Sequence, residues 1–101
     1  MIDYDFFYEI LLYGSENWKG NFTSRELDCF TNDYLADFEV SKNRNKPTQS
    51  MRNLIGLLKK DGSEQCKQWL DILSSELKGK EWWIMAVNLE KKDKNNKNKN
   101  K

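Results

Sequence analysis

Residues 48–62 read Thr-Gln-Ser-Met-Arg-Asn-Leu-Ile-Gly-Leu-Leu-Lys-Lys-Asp-Gly, and the spacing of their apolar positions decides the fold. Met51, Leu54, Ile55 and Leu58 fall at i, i+3, i+4 and i+7, the stripe of an amphipathic α-helix. The face opposite that stripe carries Gln49, Arg52, Asn53, Gly56, Lys59 and Lys60. Pro47 disfavours helix at Lys46 and leads into a new helix, and Asp61-Gly62 ends it.

Upstream, Thr23-Ser24-Arg25-Glu26 is a capping box. It predicts a helix with Leu27, Phe30, Tyr34 and Phe38 on one face, Leu35 beside them, and Asp28, Asp33 and Asp37 on other faces. Residues 39–47 form a polar, basic connection of nine residues. Before the capping box, Asp3 predicts the cap of a first helix running to about Tyr13. Phe6, Phe7, Ile10 and Leu11 form its stripe, and Gly14 its stop. Residues 14–22 are turn-like, with Asn21-Phe22 a candidate short strand.

Downstream, Ser63 is placed to cap a further helix with Cys66, Trp69, Leu70, Leu73 and Leu77 on its stripe and Gly79 as its stop. The competing reading is a strand entering a hairpin that turns near Lys78-Gly79-Lys80. Residues 82–90 are apolar and β-prone and predict a short strand. A lone strand is unstable, so this one needs a partner within the chain or in a second subunit.

A length of 101 residues allows one domain, here 1–90, followed by the Lys/Asn-rich tail 91–101. That tail has no apolar residue and is expected to be disordered. The absence of His excludes imidazole acid–base chemistry and His metal ligation. Two Cys are too few for a four-Cys zinc site or a disulfide scaffold. Cys29 and Cys66 are expected to be reduced packing residues, and no metal or cofactor is implied. Acids interrupt residues 1–14, so they do not read as a signal peptide, and no apolar run is long enough to span a membrane. The expected location is cytoplasmic.

The formal net charge of +1 hides a segregation. Residues 1–40 carry −7, residues 41–90 carry +3 and residues 91–101 carry +5. Residues 41–60 contain Lys42, Arg44, Lys46, Arg52, Lys59 and Lys60 and no acid. Such clustering is the electrostatic footprint of a nucleic-acid binder.

The order of these segments resembles the winged helix-turn-helix superfamily. Asn21-Phe22-Thr23-Ser24-Arg25-Glu26-Leu27 is similar to the opening of its second helix. Thr48-Gln49-Ser50-Met51-Arg52-Asn53-Leu54, with Leu57, Leu58 and Gly62, is similar to its recognition helix. The resemblance covers about residues 4–62. It implies an α+β fold, mostly helical, with a winged helix-turn-helix-like three-helix core and a short C-terminal β element. The nine-residue connection and the apparent helix at 64–78 depart from the family pattern.

In such a domain the recognition helix enters the major groove. Gln49, Arg52 and Asn53 would read base edges, with Thr48 and Ser50 in the first turn. Lys42, Arg44, Lys46, Lys59 and Lys60 would hold phosphates, and Lys78 and Lys80 would suit a wing tip. The same polar residues would equally serve as the solvated face of an ordinary amphipathic helix.

The expected function is therefore non-enzymatic, sequence-specific binding of double-stranded DNA by a homodimer. It fits a transcriptional regulator or a DNA-site accessory factor of a plasmid or phage. The alternative is a protein inhibitor, of the toxin-immunity or anti-defence kind, that binds a partner protein through residues 1–40, including Asp28, Asp33 and Asp37. No spacing of Asp, Glu, Tyr or Lys singles out a catalytic set.

Overall fold

A computed structural model describes residues 2–84. Helix α1 spans Tyr4–Gly14, a π-helical turn follows at Ser15–Lys19, and α2 spans Ser24–Arg44. Helix α3 spans Gln49–Asp61, α4 spans Glu64–Glu76, and residues 81–84 are again helical. The fold is mostly helical, with no strand among the described residues.

Each of α1–α4 begins where side-chain chemistry satisfies its orphan amides. Asp3 accepts from the Phe6 N–H, Thr23 from Glu26, Thr48 from Met51 and Ser63 from Cys66. At Thr23 the box is reciprocal, because Glu26 Oε1 accepts from the Thr23 N–H at 2.9 Å. Asn45 and Gly62, both left-handed, end α2 and α3.

Helix α1 lies on α2, α2 on α3, and α3 on α4. One core joins Phe7 and Ile10 of α1, Phe38 of α2, Met51, Leu54, Ile55 and Leu58 of α3, and Cys66, Trp69 and Leu73 of α4. Burial of each large apolar side chain contributes about 1.5–3 kcal/mol, which is how sequence patterning becomes tertiary stability. Aromatic contacts fix the α1–α2 seam: Phe7 stacks on Tyr34 at 6.4 Å and tilts against Phe38 at 6.0 Å.

Several expectations are corrected. Gly14 does not stop the first helix, because the chain continues through it into the π-helical turn. A Cβ at Gly14 would lie 2.5 Å from Trp18 Cε3, so the missing side chain lets the indole lie on the helix backbone. Asn21-Phe22 is not a strand; Asn21 sits at φ 51° in an irregular entry to α2. The nine-residue connection shrinks to four, because α2 continues to Arg44 and only residues 45–48 lie between the helices. Cys29 is exposed while Cys66 is buried, so only the second is a packing residue.

Residues 64–76 are helix, which excludes the hairpin reading there. Lys78 and Lys80 therefore flank a turn after α4, where Gly79 takes φ 88°, and not a wing tip. The strand expected at 82–90 is replaced by helix over 81–84, while 85–90 and the tail 91–101 lie outside the described residues. The Lys80 N–H donates to the Leu77 carbonyl and the Trp83 N–H to the Lys80 carbonyl, which turns the chain back toward the core. Trp82 and Trp83 are both buried in that core.

Candidate nucleic-acid interface

Helix α3 is fixed at both ends by side chains from other elements. At its start, buried Ser41 of α2 ties the turn. The Ser41 carbonyl accepts from the Asn45 and Lys46 N–H groups, and its Oγ accepts from the Thr48 N–H at 2.9 Å. Thr48 then caps α3 through the Met51 N–H at 3.2 Å. This short chain of bonds sets where the first turn of α3 sits relative to α2.

At its other end, Asp61 collects donors from α1 and its π-helical extension. Trp18 Nε1 donates to Asp61 Oδ2 at 2.8 Å, Tyr13 Oη donates at 3.2 Å, and the Ser63 N–H donates to Oδ1 at 3.0 Å. Hydrogen bonds from Ser63 and Trp18 hold the Asp61 carboxyl well below the usual carboxylate range, outweighing the opposing effect of desolvation. Tyr13 also meets Trp69 edge to face at 5.4 Å, so the same corner binds α4.

Between these anchors, α3 runs about 20 Å with its apolar stripe buried. Gln49, Arg52, Asn53, Gly56 and Lys60 are exposed together on its outer face, and Lys59 is half-buried at the edge. Gln49 Nε2 donates to Asn53 Oδ1 at 2.9 Å, so one turn of helix presents a linked pair of amides. Arg52 and Lys60 have no carboxylate partner among the described residues. Arg44 and Lys46 are exposed at the α2–α3 turn, and the Lys42 ammonium lies 5.4 Å from the Phe38 ring centroid.

Four members of the sequence-derived set stand apart. Thr48 spends its hydroxyl on the cap. Ser50 is half-buried and lines a groove with Asp33 and Asp37 rather than joining Gln49, Arg52 and Asn53. Lys78 and Lys80 lie after α4, outside the α2–α3 unit.

Sequence reasoning missed Ser41 and Asp61 as the residues that place α3. Ser41 sat inside an assumed linker. Asp61 read as a helix stop, and its donors Tyr13 and Trp18 lie 48 and 43 residues away along the chain. Among the described residues there is no cluster of metal-ligating side chains, and no helix is long and apolar enough to cross a membrane. No protein-family model, curated protein or solved structure matches this chain.

Proposed function

We propose that this chain is a small, non-enzymatic, sequence-specific double-stranded DNA-binding protein in which α2, the four-residue turn and α3 form a helix-turn-helix unit. One observation carries the reading: α3 is held at both ends, and its exposed face carries Gln49, Arg52, Asn53 and Lys60 with no acid among them. A short turn between the two helices suits this unit better than the long linker suggested by composition. Gln49 and Asn53 suit adenine edges and Arg52 suits guanine O6 and N7. Lys42, Arg44, Lys46, Lys59 and Lys60 supply sequence-independent phosphate affinity. A homodimer reading a two-fold site, as a regulator or a plasmid or phage site factor, is the form such a domain takes.

Fluorescence anisotropy on duplex DNA over a salt series tests this, with the full chain and a chain ending at Glu90 compared. Both should bind, with affinity falling steeply as salt rises. After selection of a preferred site from a random duplex pool, Arg52→Ala should weaken that site by about 1–3 kcal/mol and random duplex much less. Lys60→Ala should weaken both alike. Equal losses for both variants on both duplexes remove the recognition-helix assignment. Binding by the full chain alone assigns the effect to the lysine tail.

A second reading is favoured by the acids of α2. Asp33 and Asp37 meet at one groove, and Asp28 accepts from Tyr4 Oη at 2.5 Å on the same helix. These residues would suit a protein inhibitor that presents carboxylates to a basic partner. Loss of all DNA binding in both chains would move this reading to first place.

A further inference from the structure

The groove beside the first turn of α3 has a composition that the DNA reading does not use. Phe30, Asp33, Tyr34 and Asp37 fall at i, i+3, i+4 and i+7 of α2, so they form one stripe along its flank. Leu11 of α1, Phe22 before α2 and Ser50 of α3 close the walls around a cavity of about 270 Å3. Phe22 and Phe30 meet edge to face at 5.0 Å, which makes one wall aromatic. Asp33 and Asp37, one helical turn apart, make another wall anionic, and neither has a basic partner among the described residues. Burial, reinforced by the Asp37 charge, pushes the Tyr34 hydroxyl up, so the phenol stays neutral beside the carboxylates.

We propose that this groove is a binding site for a small organic cation: an ammonium carried on an aromatic body. Two carboxylates attract the charge, and the aromatic wall takes both the apolar body and the cation through the ring faces. The volume falls just below that of sites for drug-sized ligands, which selects a compact molecule. Ser50 lines the groove, so a bound ligand would lie beside the first turn of α3. The site stands on the groove alone and is independent of DNA binding.

The test uses the full chain and 2-phenylethylammonium, followed by amide chemical shifts. Perturbations should centre on residues 30–37 and on Ser50, with saturation in roughly the millimolar range expected of so small a ligand. The isosteric neutral alcohol 2-phenylethanol should bind about tenfold more weakly, and Nα-acetyl-lysine amide, which lacks the ring, several-fold more weakly. Asp33→Asn and Asp37→Asn should each weaken the ammonium several-fold, with Asp28→Asn, outside the groove, leaving it unchanged. Equal binding of the alcohol, or insensitivity to both groove variants, overturns the cation site. Equal binding of the lysine amide overturns the free aromatic amine in favour of a lysine side chain. No perturbation up to about 20 mM overturns the proposal outright.

Discussion

Asp61 shows how one side chain can join three helices. It terminates α3, receives the Trp18 indole and the Tyr13 hydroxyl from the α1 end, and accepts from the Ser63 N–H that begins α4. Because its folded carboxyl titrates below the ordinary value of 3.8, the ionised form is the one the fold prefers. Its contribution is therefore complete above about pH 4 and is lost as pH falls from there. Asp61→Asn should lower Tm at pH 6, and the gap from the wild type should narrow steadily toward pH 2. A gap that stays constant across a melting series in pH would show that the charge contributes nothing. Gly14 and Gly56 form a matched contrast. Both sit in helices, where Ala is favoured over Gly by about 1 kcal/mol. A Cβ at Gly56 meets nothing within 4 Å, so Gly56→Ala should stabilise by about 0.5–1 kcal/mol. At Gly14 the new Cβ would press on a Trp18 ring that Asp61 holds in place, and overpacking of about 1–3 kcal/mol outweighs the propensity gain. Urea titrations of the two variants should move in opposite directions.

At the scale of elements, the α2–α3 turn is the working part. Its geometry depends on Ser41, whose hydroxyl sits in the core and accepts from the Thr48 N–H. Ser41→Ala leaves that amide without its partner and should cost about 1–3 kcal/mol in chemical denaturation. Ser41→Thr retains an acceptor but adds a methyl to a packed site, so it should not restore full stability. The turn also shows why composition misled. Residues 39–44 are mostly polar, and apart from buried Ser41 and half-buried Lys42 they are exposed on the last turns of a long helix; polar helix surface is indistinguishable from linker by composition. Capping chemistry was legible at three of the four helix starts, Asp3, Thr23 and Ser63, since a cap needs only residues within one turn; at the fourth, Thr48 was expected inside the first turn and is the cap itself. The helix at 81–84 was not, because Trp82 and Trp83 are β-prone residues and tertiary burial overrides that preference.

At the scale of the whole molecule, a single core runs from Phe7 through Phe38 and α3 to Trp69, Leu77 and Trp83. A chain of about this size with one continuous core should unfold in one cooperative step. Thermal melts followed by helical circular dichroism and by tryptophan fluorescence should coincide, since Trp69, Trp82 and Trp83 lie in that core and Trp18 packs against it. Separated midpoints would divide the α1–α2 pair from α3–α4. The sequence by itself determined the helical stripes, the caps of α1, α2 and α4 and the acid-free polar face of α3, because each is set by local periodicity and by contacts within one turn of helix. Only the tertiary structure decided the length of the α2–α3 turn, the convergence of Tyr13 and Trp18 on Asp61, and the meeting of Asp33, Asp37 and Ser50 at one groove. Those features join residues from different helices, and no local pattern encodes the distance between surfaces that meet only when the core closes.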